Sequence, residues 1–290
     1  MPPYLLINPL SGSYSLALQK KLLSQLNYVG IDPEIMTVTG PEDARRICAQ
    51  IEGAVENPFV IVAGGDGTIN AVINALTPGR STLAVLPVGT ANVLARELGI
   101  GSLADSIRRI AEGNSRQFSV GVIEGPEGVG QRFVLMAGIG LDGSIVQGVR
   151  LREKRLLKKG AYLLSALRCF LKWPRGTFTL VADGCSVPCH SVIICNGARY
   201  GGNVTLAPDA DISEPLLDLF CITSDSRRSY LKIIMSVLAG RPCRESDVIL
   251  LRAAHVEVGG DRPIQVDGDS CGLAPIRIGT IANFARIFTS

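Results

Sequence analysis

Aromatic residues make up only 5% of this 290-residue chain, and histidine occurs twice. No CxxC pair is present: the eight cysteines, at 48, 169, 185, 189, 195, 221, 243 and 271, are scattered, mostly in apolar runs. Cys185, Cys189 and His190 are the one cluster that invites a metal. Three ligands within six residues and no distant partner pair make a poor zinc site, so reduced, buried cysteines account for all eight. No stretch approaches the roughly 18 uncharged apolar residues of a membrane-spanning helix. Met1-Pro2-Pro3-Tyr4 leads straight into a strand-like run without a basic n-region or cleavage site, so no secretory leader is expected. Neither common phosphate fingerprint, GxGxxG or GxxxxGK[ST], occurs in the glycine-rich stretch 58–75.

Net charge is also low, at +3, but it is unevenly spread. Residues 150–175 hold nine Lys/Arg and one acid, Glu153, a local charge of +8; the other 20 basic and 25 acidic residues leave −5 elsewhere. Such asymmetry bears on partners. The length favours two domains, and 47% hydrophobic residues supply material for both cores.

What stands out is the stretch 58–75, PFVIVAGGDGTINAVINA. Residues 59–63 are a short continuous apolar run, suited to a buried strand. It stops at Gly64-Gly65-Asp66-Gly67-Thr68, after which Ile69, Val72, Ile73 and Leu76 recur at helical spacing. The glycines therefore fall where a strand's carboxyl end becomes a helix's amino end. Glycine there permits positive φ and leaves no Cβ between backbone and ligand. A helix's first turn adds unpaired N–H groups and partial positive charge, which suit phosphate.

The same strand–turn–helix rhythm recurs around it. Strands are expected at 4–7, 35–38 and 82–86, followed by turns at Asn8-Pro9-Leu10-Ser11-Gly12, Thr39-Gly40-Pro41 and Pro87-Val88-Gly89-Thr90. Helices are expected at 15–26, then, after a turn that runs on to Ala44, as far as about 52, and at 93–98. Four such units predict a mostly parallel sheet covered on both faces, with ligands beyond the strands' carboxyl ends. After about residue 117 the pattern changes to short strand-like segments at 119–124, 131–136, 176–182, 190–195, 216–223, 255–258, 263–266 and 276–278. That spacing predicts an antiparallel, sandwich-like β domain. A helical insertion is expected at about 144–171 and another helix at 229–238. The division is thus 1–117, with the tail 281–290 returning to it, and 118–280.

GGDGTxN after a buried strand resembles the nucleotide motif of the diacylglycerol kinase catalytic-domain family, which includes sphingosine kinases and bacterial lipid kinases; NAD kinases carry a related GGDGT. The resemblance extends along the chain: Asn8-Pro9 with Ser11-Gly12, the Thr39 turn with Asp43-Ala44, Pro87 to Asn92, and Gly138 to Asp142 stand in the family's order. So do Asn196 with Gly201-Gly202, Ala207-Pro208, and Val266-Asp267-Gly268-Asp269. It implies an NAD kinase/phosphofructokinase-like α/β domain, a β-rich lipid domain, and ATP- and Mg²⁺-dependent phosphorylation of a lipid hydroxyl. Asn8, Pro9, Ser11, Gly12, Thr39, Gly64, Gly65, Asp66, Gly67, Thr68, Asn70 and Thr90 would hold the nucleotide. Asp66 and Asp142 are the candidates for Mg²⁺, a hard cation that prefers carboxylate oxygen; Asp66 is alternatively a helix cap, and Asp142 a simple turn residue. Asp269 is the candidate general base, with Asp267 shaping the field. Two carboxylates two residues apart on one extended strand would share a face and disfavour each other's ionisation. A bare turn is the alternative for this segment.

Three departures from the family pattern stand out. Asp269 replaces an expected Glu, and a reach shorter by about an ångström can cost roughly a hundredfold in rate. Ala71 stands where GGDGTxNE has Glu. A structural metal loop is represented by Glu214, Leu217 and Asp218, with Pro215 where glycine is usual. The basic segment, with Tyr162, Leu163, Leu164, Leu167, Phe170, Leu171 and Trp173, suits transient contact with an anionic leaflet. With half its cations facing lipid at about 1 kcal/mol each, attraction is about 4 kcal/mol, a millimolar association. No nucleic-acid motif accompanies the charge. The expectation is a cytoplasmic enzyme, peripheral at the inner membrane surface, with a homodimer left open. An NAD kinase-like enzyme and a catalytically silent nucleotide- or lipid-binding regulator are the other readings.

Overall fold

The computed structural model describes residues 3–126, 130–150, 153, 159–202, 204–241, 243 and 246–289. Of the basic segment, Arg152, Lys154, Arg155 and Lys158 lie outside the described residues.

The first part alternates strands and helices: β1 (Tyr4–Ile7), α1 (Leu16–Tyr28), β2 (Glu34–Thr37), α2 (Pro41–Ala54), β3 (Phe59–Gly64), α3 (Asp66–Ala75), β4 (Thr82–Pro87), α4 (Val93–Glu97) and α5 (Leu103–Glu112). Local signals set the helix ends. Ser15 and Ser102 cap α1 and α5 by accepting from Leu18 and Asp105 N–H, while Pro41 opens α2 ahead of Glu42 and Asp43. The strands run parallel in the order β2-β1-β3-β4. Along β3, Val60 and Val62 face one core with Ile47, Ile51 and Val72, while Ile61 and Ala63 face another with Leu22, Leu26 and Ile107. A continuous apolar run is what a strand covered on both faces requires.

The second part is mainly β: β5 (Ser115–Glu124), β6 (Gly130–Phe133), β7 (Met136–Ile139), β8 (Phe178–Ala182), β9 (Cys185–Cys189), β10 (Ser191–Cys195), β11 (Arg199–Tyr200), β12 (Val204–Thr205), β13 (Leu217–Ile222), β14 (Val248–Ala253), β15 (Val256–Val258), β16 (Pro263–Val266), β17 (Asp269–Leu273) and β18 (Ile276–Phe288). Its helices are α6 (Leu141–Gln147), α7 (Lys159–Leu171) and α8 (Arg227–Leu238). One sheet runs β14-β13-β10-β7-β16-β17, with antiparallel pairing throughout. It packs on β5, β6, β8, β9, β15 and the start of β18 through a core that includes Ile123, Phe133, Leu180, Val192, Leu219, Val256 and Ile264. The result is a β-sandwich.

Strand β18 joins the two halves. Its first part pairs antiparallel with β15, it runs antiparallel along β5, and Arg286 and Ile287 pair parallel with Thr82 and Leu83 of β4. A register shift falls between Ile281 and Ala285, where Asn283 adopts φ 52°, a region asparagine tolerates. The segment 276–278, expected as a short strand, is thus only the start of a 13-residue one. The expected strand 131–136 is two strands in different sheets. Between them the N–H groups of Val134, Leu135 and Met136 turn to the carboxylate of Asp267 instead of a neighbouring strand.

Candidate active site

All four helix-bound turns lie at the carboxyl ends of parallel strands. Because the chain goes from β1 outward to β2 and then back past β1 to β3, strand order reverses between β1 and β3. Such a switch point opens a crevice for ligands. Across it, Asn8 Nδ2 donates to Thr68 Oγ1 at 2.8 Å. Ser13 N–H donates to Val88 C=O and Val88 N–H to Gly64 C=O, both at 3.1 Å, tying three of the turns together.

Glycine is required where these turns touch. A Cβ on Gly89 would lie 2.4 Å from Gly65 Cα, and one on Gly12 would lie 2.6 Å from the Thr90 hydroxyl. Gly67, in the first turn of α3, has open space in front of it. No side chain caps α3 at Gly65. Its amino end therefore presents backbone donors to the crevice. Thr39, by contrast, gives its N–H and hydroxyl to Asp43, which holds that carboxyl below the usual carboxylate range. Pro9 and Ser11 sit in the first turn, partly exposed.

Between this sheet and the sandwich lies a cavity of about 390 Å³. Ile69, Val93, Leu94, Val134, Leu135, Met136, Ile145 and Val146 give it aliphatic walls; Asp66, Asp142, Asp267, Tyr162, Tyr200 and Gln265 supply the polar groups. Asp66 Oδ1 accepts from Leu94 N–H at 3.1 Å, so it caps α4 while facing the cavity. Asp142 is buried; Tyr200 O–H donates to its Oδ1 at 2.5 Å and Gln265 Nε2 to its Oδ2 at 2.8 Å. Burial pushes the Asp142 carboxyl up, against the pull of those two donors, and pushes the Tyr200 phenol well above its ordinary value.

Asp267 does not share an extended face with Asp269. Val266 pairs with Asp269 across a two-residue turn in which Asp267 has φ 47° and Gly268 φ 91°. Positive φ at both central residues is the type I′ hairpin, for which Asp-Gly is well suited. The reversal sends the two carboxylates to different surroundings. Asp267 accepts four N–H donors: Asn70 Nδ2 at 2.6 Å, Val134 at 2.7 Å, and Leu135 and Met136 at 3.0 Å. Burial pushes the Asp267 carboxyl up, and the four donors oppose this. Asp269 is exposed and is not itself a wall of the cavity, although the preceding Gly268 is.

Asn70 therefore reaches the hairpin of the second half, joining the GGDGTIN and VDGD segments, which are 197 residues apart. Tyr200 and Gln265 carry no motif of their own and were missed by sequence reasoning, Tyr200's place beside Gly201-Gly202 being the only pointer; Tyr162, expected in the membrane-contact segment, lines the cavity instead and donates to Gly268 C=O.

The Glu214–Asp218 loop already holds a cation. Arg252 reaches Glu214 Oε2 at 3.1 Å and Asp218 Oδ2 at 3.2 Å, and donates to Asp209 C=O at 2.6 Å. Leu217 is buried in β13 opposite Ala253. These residues do not fit a structural metal. Among the described residues no group of three or more His, Cys, Asp or Glu is placed to hold one.

Glycine-rich turns of the kind that suit phosphate thus border an aliphatic cavity between the two halves. Comparison with known proteins identifies the family that shares this arrangement. The model of the diacylglycerol kinase catalytic domain matches residues 2–123, and that of the YegS C-terminal NAD kinase beta sandwich-like domain matches 136–289. A Bacillus subtilis protein named diacylglycerol kinase is 28% identical over 286 residues, covering 93% of this chain and 90% of that protein. "Probable lipid kinase YegS-like" of Chromohalobacter salexigens is 30% identical over 221 residues, 73% of this chain and 70% of its own. A solved diacylglycerol kinase structure from Bacillus anthracis, 21% identical, superposes with a TM-score of 0.75 over 100% of this chain and 97% of that one, a likeness of fold. The chain belongs to the diacylglycerol kinase catalytic-domain and YegS-like family of lipid kinases, enzymes that transfer phosphate to a lipid hydroxyl.

Proposed function

We propose that this lipid kinase transfers the γ-phosphoryl group of ATP to the free hydroxyl of a diacylglycerol-like membrane lipid in the cavity between its two halves. The observation that carries the reading is the Asn70–Asp267 hydrogen bond, with Asp66, Asp142 and Gly268 around one aliphatic cavity. A dinucleotide acceptor would need polar partners for its riboses and phosphates along walls that are mostly aliphatic here.

In this reading the turns after β1, β3 and β4 hold the triphosphate through backbone N–H groups, and Asp66 faces its terminal end. A Mg²⁺ ion on substrate phosphates needs only one or two protein carboxylates, which Asp66 fits; such an ion neutralises phosphate charge. Asp142 fits less well, because both its oxygens are already engaged. It serves instead as the polar end of the acceptor cavity, orienting the lipid headgroup. Asp269 accepts the proton of the attacking hydroxyl as oxygen bonds to γ-phosphorus and ADP leaves. Asp267 is a positioning residue that holds the hairpin bearing Asp269. The phosphorylated lipid would feed phospholipid biosynthesis. The enzyme would work in the cytoplasm at the inner membrane surface, touching it through residues 150–175; among the described residues no helix is long and apolar enough to cross a membrane.

Incubation with labelled ATP, Mg²⁺ and mixed membrane lipids should give a labelled lipid. A labelled soluble dinucleotide, or nucleotide binding without transfer, overturns the reading. Asp269→Asn should abolish transfer while nucleotide affinity stays nearly intact; unchanged turnover removes Asp269 from its role.

A further inference from the structure

Fourteen large hydrophobic side chains are exposed among the described residues, and eight of them stand on just two helices. Helix α7 exposes Leu163, Leu164, Leu167 and Leu171; α8 exposes Leu231, Ile234, Met235 and Leu238. On α8 these positions follow i, i+3, i+4, i+7, a single stripe, while Tyr230 and Ile233 are buried on its other side. On α7 the inward residues are Ala161 and Ser165, and Tyr162, which lines the cavity.

The two helices meet at a corner. Arg227, the first residue of α8, donates to Leu171 C=O at 3.1 Å and lies over the Phe170 and Trp173 rings. Trp173 in turn packs edge-on against Tyr230, with ring centres 4.9 Å apart. Neither helix contains an acidic residue; beside them Glu153 is paired with Arg168 and Asp225 precedes α8, which leaves an excess of cations in Lys172, Arg175, Arg227, Arg228 and Lys232. Arg168 and Lys172, with Arg150, also line a crevice of about 290 Å³ beside α7. Leucine and methionine flanked by an excess of cations match the interface of an anionic bilayer. A second copy of the chain is disfavoured as occupant, because pairing this face with itself would set cation against cation.

We propose that α7 and α8 together form one docking surface for an anionic lipid bilayer, with α8 as its second element. Since α7 also walls the cavity through Tyr162, the docked bilayer lies against the wall behind which the acceptor lipid is held. The inference rests on the lipid-kinase reading for its purpose but not for its evidence.

The experiment is co-sedimentation of the full chain with phosphatidylcholine vesicles, with or without about one-third phosphatidylglycerol. The parent should bind the anionic vesicles at least tenfold more tightly. Met235→Glu with Leu238→Glu should weaken that binding about tenfold, and so should Leu167→Glu with Leu171→Glu, while turnover of a short-chain, water-soluble diacylglycerol stays unchanged. Arg228→Glu with Lys232→Glu, which leaves the apolar stripe intact, should remove the preference for anionic vesicles, so the test survives if one variant fails to fold. Parent-like vesicle binding by the folded α8 variants overturns the proposal, as does a change in oligomeric state on size exclusion with vesicle binding unaltered. Vesicle binding that persists in a protein labelling no lipid would instead sink the kinase reading alone.

Discussion

Replacing Asp267 by Asn tests the join between the two halves with little disturbance to the turn, since Asn-Gly is itself a favoured type I′ pair. The carboxylate divides its work: Oδ2 accepts from Asn70 and Val134, Oδ1 from Leu135 and Met136. An amide has one acceptor oxygen, so its NH₂ must point at one pair of donors. Two donors then lose their partner at about 1–3 kcal/mol each, and the expected loss of stability is about 2–6 kcal/mol. Asn70→Ala removes a single donor and should cost less. In a double-mutant cycle the pair should show a coupling of about 1.5–3 kcal/mol, the size expected of a hydrogen bond to a charged group. Urea unfolding of the four proteins supplies these numbers. Turnover should fall further than nucleotide affinity, because the hairpin also sets Asp269. A change below about 0.5 kcal/mol for Asp267→Asn, or additivity of the two substitutions, would refute the reasoning.

Gly89→Ala should splay the turns after β3 and β4, because the new Cβ would lie 2.4 Å from Gly65 Cα; nucleotide affinity by calorimetry should drop at least tenfold while the chain stays folded, and an unchanged affinity counts against those turns as the nucleotide site. His190 is buried, with Nε2–H donating to Pro174 C=O and Nδ1 accepting from Tyr230 O–H. Burial holds His190 below the ordinary imidazole value, so below a pH of about 6.5 the unfolded chain takes up a proton that the folded chain does not. Stability is therefore fully present above that pH and declines as the pH falls; the thermal midpoint should drop accordingly, and an equal slope in His190→Gln would assign the effect elsewhere. Because Arg252 already joins Glu214 and Asp218, a chelator should leave the thermal midpoint unmoved, and Arg252→Met should cost no more than about 1 kcal/mol for so exposed a network. A midpoint lowered by the chelator would put a metal in that loop.

The α/β half was legible because its signals are local. An apolar run such as residues 59–63, as short as a strand and stopped by glycines, suits a strand covered on both faces; Gly64 and Gly65 mark close approaches to Thr68 and Gly89, while Gly67 leaves open space before α3. Ser15 starts α1 through a bond spanning three residues, whereas α5, capped by Ser102, went unread and Pro41, expected in a turn, is the first residue of α2. The VDGD segment was legible as a motif but not as geometry. Two positive φ angles reverse the chain between Asp267 and Asp269, so carboxylates that would share a face on an extended strand are separated into a four-donor anchor and an exposed group.

Sequence alone thus determined the secondary elements around the glycine turns and the residue types that could meet a phosphate. Only tertiary structure decided which partners those residues took: that Asn70 reaches across to Asp267, that Arg252 stands between Glu214 and Asp218, and that β18 serves both halves. It also decided which leucines of α7 and α8 face outward. An amphipathic pattern records that a helix has an apolar side, but the core buries only as much of it as the neighbouring elements cover.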